Sequence, residues 1–133
     1  MFSAMKIVVI VARLLLGLIF VVFGLNGFLL FFPPPPGLPP LVTEFDHAVT
    51  TSHFTWLPSG VQVVGGVMFL ANRYTTLATI LLGAVIVNIL MFHVTMFMVG
   101  ILPGLITTVL WFVVAWSLRA QLSPLFVNKV KAK

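Results

Sequence analysis

Apolar positions along this chain come in runs too long and too even for the strands or amphipathic helices of a water-soluble domain. The first covers residues 7–32 and is broken only by Arg13 and Asn26. A hydrocarbon core of ~30 Å is crossed by about 20 apolar helical residues, so this run predicts a membrane-spanning helix. It is too long for the apolar segment of a cleavable signal peptide, and no small-residue exit follows it. Apolar runs over 56–72, 75–99 and 104–120 predict three more spans. Pro58 falls in the first turn of the second, where a missing N–H does no harm. Short turns at Asn72-Arg73-Tyr74 and at 100–104 join the last three.

The segment between the first two spans has a different character. Pro33-Pro34-Pro35-Pro36-Gly37-Leu38-Pro39-Pro40 ends the first helix and favours polyproline II, which needs no internal hydrogen bonds. Residues 41–55 follow, with Glu44, Asp46, His47 and His53, and a short interfacial helix is expected over 41–51. Residues 121–133 read as a polar, basic tail. The pattern as a whole predicts an all-α membrane protein, a four-transmembrane-helix bundle forming one membrane domain over residues 1–133. A three-span reading, with the last helix interfacial, leaves the basic tail on the wrong side of the membrane.

Charge adds orientation. Of 133 residues, 61% are hydrophobic and 7% charged, against roughly 25% charged in soluble domains. The net charge is +5, yet the basic residues are not a nucleic-acid patch. Lys6, Arg73, Arg119, Lys129, Lys131 and Lys133 all fall on one side of a four-span arrangement, and the other side has no Lys or Arg. The positive-inside rule then predicts both ends in the cytoplasm (N-in/C-in) and the proline-rich loop 33–55 outside. Trp56 and Tyr74, near the two ends of the second span, suit the interfacial aromatic belts. Cysteine is absent, which removes thiolate metal sites and dithiol chemistry carried by this chain.

Polar groups inside a bilayer are costly and single themselves out. Arg13 has two readings, a side chain snorkelling to the headgroups or one turned into the bundle, with anion binding a third. Gly17, Gly24 and Gly27 lie close to the Arg13 face at spacings that predict packing against another helix, and Gly65-Gly66 is a second close-packing point. Asn26, Gln62 and Asn88 are amides on three different spans, and His93 lies a little further out than Asn88. Converging, these four would line an outward-facing ligand pocket; interhelical hydrogen bonding explains the amides too, and is the favoured reading for Asn26 and Gln62. Five residues separate Asn88 from His93, about 140° around a helix, so they share no narrow face. Phe20, Phe23, Phe28, Phe92 and Phe97 can line an aromatic slot or pack against lipid. The loop set Glu44, Asp46, His47 and His53 reads as a solvated face, and no metal-ligand spacing appears. No metal site is expected.

The runs Arg13-Leu-Leu-Leu-Gly-Leu-Ile-Phe and Phe23-Gly-Leu-Asn-Gly-Phe, the Phe-Phe-Pro-Pro-Pro-Pro connection, Val61-Gln-Val-Val-Gly-Gly and Val87-Asn-Ile-Leu-Met-Phe-His together resemble the DoxX family. The likeness extends over about residues 14–125 and lies in the order of short motifs. It implies a four-helix protein of the bacterial inner membrane. It also implies an association with redox enzymes, since some members are subunits of a thiosulfate:quinone oxidoreductase. Arg13, Asn26, Asn88 and His93 match positions where the family carries polar residues. The acid often found before the Gly-Gly pair is replaced here by Gln62, which removes an obvious proton acceptor.

The expected function is therefore a redox-associated, quinone-linked membrane subunit without its own redox centre. Its expected ligand-binding residues are Asn88, His93, Asn26, Gln62 and Arg13. Its expected partners are the lipid bilayer, quinone and other membrane or redox subunits, with no nucleic acid. An accessory structural subunit is the alternative, and a small-molecule or lipid transporter ranks third because no intramembrane acid or inverted repeat is evident.

Overall fold

The computed structural model describes residues 3–132 and contains helices and turns, with no strand among them. Helix α1 (Ala4–Leu29) begins earlier than the apolar run suggests. Ser3 adopts an extended N-cap conformation and its side chain accepts from the Lys6 N–H, which satisfies one of the four unpaired donors of the first turn. At the other end α1 stops at Leu29, three residues short of the expected Phe32. Leu30 turns into the left-handed region at φ 52° and its N–H bonds the Asn26 carbonyl. The Phe32 N–H donates to Asn26 Oδ1 at 2.9 Å, so Asn26 holds both bonds that close the helix.

Helix α2 (Pro40–Thr51) starts on a proline and bends by 81° into α3 (Trp56–Ala71). The loop expected over 33–55 thus carries a helix for half its length, as foreseen for 41–51. Helix α3 ends in a Schellman turn: Asn72, at φ 53°, bonds Phe69 O, and Arg73 N–H reaches back to Met68 O. Helix α4 (Thr75–Met96) is followed by a 3-10 turn at Met98–Gly100, and α5 (Leu102–Ser117) by α6 (Arg119–Leu122). The last pair bends by 79°. The boundaries expected at 99 and 120 therefore run past straight helix into a turn and a hook. The expected polar tail over 121–133 also differs at its start, because Leu122, Leu125 and Phe126 close one end of a groove between α4 and α5. Lys133 lies outside the described residues.

Helix α1 packs most extensively on α3, and α4 packs on both α3 and α5. The α1–α3 contact is made by backbone meeting backbone. A Cβ on Gly17 would sit 2.9 Å from Gly66 O, and one on Gly66 would sit 2.8 Å from Gly17 O. Gly24 approaches the backbone of Ser59 and Val63 in the same way. On the other side of α3, Gly65 receives the Leu82 side chain from α4. Leu16, Phe20, Phe69, Ala78, Leu82 and Val114 form the fully enclosed core at the meeting of the four helices. Trp111 of α5 lies against Gly83 and donates to Thr79 O at 2.8 Å, tying α5 to α4.

Two helices, α1 and α4, are long and apolar enough to cross a membrane, and the number rises to four if each bent pair counts as one span. The chain is an integral membrane protein by these helices. By contrast α3 and α5 have 16 residues each, about 24 Å at 1.5 Å per residue, which is less than the ~30 Å core.

Candidate functional site

A recess lies where α1, the proline segment, α2 and the end of α4 meet. It is a cleft of about 650 Å³. The bend between α2 and α3 creates it, because α2 is turned across the ends of the upright helices instead of prolonging one of them. Pro33, Pro34 and Pro35 form one wall, where the stiff proline backbone needs no partners. Phe45 from α2 faces Phe92 from α4 with ring centroids 5.7 Å apart. Phe32 and Phe97 complete the aromatic lining, and Val42, buried on α2, packs beneath.

Four polar side chains reach the same space: Asn26, Asp46, Thr50 and Thr55. Asn26 Oδ1 is engaged with the Phe32 N–H, which leaves its amide N–H groups as donors. One carboxylate and no cationic side chain line the cleft, so an anionic guest is disfavoured and a neutral or cationic one is accepted. A pocket of this size with apolar walls and a few polar groups has the usual make-up of a small-molecule site. The lining holds no thiol, amine or nucleophile–base pair; its side chains can bind and orient a guest.

The structure separates the residues that the sequence suggested would converge. Asn26 lines the cleft. His93 stands behind its wall, its ring edge-on to Phe92 and tilted against Phe97, with Nδ1 2.7 Å from Ile89 O of its own helix. Gln62 is half-buried on the α3 face that carries Ser59 and Gly66 and is outside the cleft lining. Asn88 is exposed on α4 and also outside it. Neither amide hydrogen-bonds another described residue. One shared pocket for Asn26, Gln62, Asn88 and His93 is therefore not formed.

Arg13 is half-buried and donates from its guanidinium to Phe69 O, in the last turn of α3. That carbonyl already accepts from the Asn72 N–H, so the guanidinium takes its second lone pair, and the positive charge faces the negative end of the helix dipole. Of the readings open to Arg13, the inward structural one matches this geometry. The aromatic slot also divides: Phe20 is core, Phe23 and Phe28 are exposed, and Phe92 and Phe97 line the cleft.

Phe32, Phe45, Asp46, Thr50 and Thr55 were not singled out as one group by the sequence. The available signal was the period of the short helix after the prolines, where Val42, Phe45, Asp46 and Val49 fall at three- and four-residue spacings. Among the described residues no three His, Asp or Glu side chains gather as a metal site. Comparison of the chain with known protein families, characterised proteins and solved structures finds no match.

Proposed function

We propose that this chain is a DoxX-like, four-span membrane subunit of N-in/C-in orientation that holds a neutral, ring-bearing, lipid-soluble ligand in the α1–α2–α4 cleft. A quinone is the ligand class that the residue resemblance implies. The single observation that carries the reading is the aromatic cleft itself, with polar groups confined to a few points on its wall. Its residues fit a quinone. Phe32, Phe45, Phe92 and Phe97 offer flat apolar surfaces to a ring, and Asn26, Thr50 and Thr55 offer hydrogen-bond donors to carbonyl oxygens. A bound quinone would supply electron-accepting chemistry that no side chain of this chain provides. The protein's own residues would bind it, orient it and keep water from its ring, and electrons would come from a partner subunit of the bacterial inner membrane.

The N-in/C-in orientation has its support in charge. Glu44 and Asp46 are on α2, while Lys6, Arg73 and Arg119 flank the opposite ends of the upright helices. The cleft then opens on the outer face, at headgroup level.

Mass spectrometry of the protein extracted gently from its own membrane tests the ligand. A stoichiometric quinone is expected in the native chain, and a Phe45→Ala/Phe92→Ala double variant should retain it at least tenfold less. Both side chains are peripheral to the enclosed core, so the variant should still fold. Equal retention by the two proteins would sink the assignment of the cleft. Recovery without any quinone, in a stable complex with larger subunits, would favour the accessory-subunit reading.

A further inference from the structure

Asn88 poses a problem that the cleft does not solve. It lies about 20 Å along α4 from Thr75 and well before the end at Met96, inside a helix long and apolar enough to span a membrane. Its side chain is exposed and makes no hydrogen bond to another described residue. Polar side chains within membrane helices almost always turn to the protein interior. A long Lys or Arg stem can carry its charge to the headgroups, but an asparagine side chain is too short. In lipid the Asn88 amide would keep two N–H donors and one carbonyl unpaired.

The neighbours of Asn88 form a seam. Leu77, Leu81, Ala84, Asn88, Met91 and Thr95 follow one another at alternating steps of four and three, the spacing by which two helices pack along their length. Five of the six are exposed and Leu81 is half-buried. No charge lies on the seam, and Ala84, one turn before Asn88, permits close approach.

We infer that this α4 seam is a contact between two copies of the chain, closed by an Asn88–Asn88 amide pair. Copies inserted in the same orientation bring the same residue to the same depth. A twofold axis along the membrane normal therefore sets Asn88 opposite its counterpart. An amide both donates and accepts, so the pair is self-complementary, as a single buried Asn is in helix pairs that fix their register. A different protein would have to present a matching polar group at this one depth. The inference rests on α4 being a membrane span and is independent of what the cleft binds.

The chain has no cysteine, so a single introduced thiol can form a disulfide only between molecules. Thr95→Cys lies on the seam near the end of α4, within reach of a membrane oxidant, and Leu102→Cys lies nearby, exposed at the start of α5. Oxidation of native membranes should convert Thr95→Cys to a covalent dimer of twice the chain mass and leave Leu102→Cys largely monomeric. Adding Asn88→Leu should lower the Thr95→Cys dimer about tenfold, whereas Asn88→Gln, which keeps the amide, should restore most of it. Equal cross-linking at the two positions, no effect of Asn88→Leu, or a disulfide to another protein would overturn the inference. In sealed membranes, labelling of Ile80→Cys by an impermeant maleimide would overturn the span reading together with it. Protection of Ile80→Cys without a Thr95→Cys dimer would overturn the self-contact alone.

Discussion

Arg13 illustrates how one intramembrane charge is held by geometry. Its partner is the Phe69 carbonyl, which lies in the turn where Asn72 and Arg73 already close α3. Replacing Arg13 by Leu removes a charge-assisted bond and the favourable term at the helix end. The expected cost is about 2 kcal/mol, read as a lower thermal midpoint in detergent. Arg13→Lys keeps the charge but loses the planar fork and should cost roughly half as much. A midpoint unchanged in Arg13→Leu would mean that the side chain is engaged with headgroups instead. Arg13 was legible as inward or snorkelling because a glycine stripe lay near its face. Asn88 and His93 were not legible in the same way. Helix α4 is apolar on every side apart from these few positions, so no stripe tells which face turns inward, and depth along the helix says nothing about direction.

Among the elements, close helix packing at glycines is what the sequence announced most clearly, without naming which helices meet. Gly17 and Gly24 implied a close helix neighbour, and Gly65-Gly66 implied a close-packing point; the structure brings Gly17 and Gly66 together. Gly66→Ala would push a Cβ against the carbonyl of Gly17, which is backbone and cannot rotate aside. The helices would have to part, at about 1–3 kcal/mol. At Gly60 of the same helix the nearest atom to an added Cβ is the Phe28 ring, 3.9 Å away. Gly60→Ala should therefore be neutral or stabilise by up to ~1 kcal/mol through helix propensity. Thermal unfolding of the two variants side by side checks the contrast, and equal midpoints would contradict it. The end of α1 was harder to see. Leu30 takes a left-handed conformation usually left to glycine, and the apolar run continues past it to Phe32. The bond that fixes the turn comes from Asn26, whose role as a cap is invisible in a hydropathy pattern. The hook after α5 was hidden for the opposite reason, since its basic neighbours outweighed Leu122, Leu125 and Phe126.

For the molecule as a whole, composition announced a helical membrane protein, and charge at the segment ends announced an orientation. A cytoplasmic reporter fused after Lys133 should be active, and one inserted at Gly37, which meets open space, should report the outer face. Activity of the Lys133 fusion on the outer side would end the N-in/C-in arrangement. The cleft was not legible at this scale, because it arises from the 81° turn of α2 and not from any one helix.

The uneven helix lengths have a consequence for the lipid around them. The long helices α1 and α4 do not stand on the same sides as the short ones: each of α1 and α4 has α3 and α5 as its packed neighbours. In the proposed four-span arrangement the hydrocarbon surface offered to the membrane would therefore alternate around the perimeter between full height and about 24 Å. Lipid tails would then shorten beside α3 and α5 and relax beside α1 and α4, with α2 and α6 in headgroup space where the tails are compressed. Each ångström of such mismatch costs a fraction of a kcal/mol. In the proposed four-span arrangement the annulus would take a saddle shape.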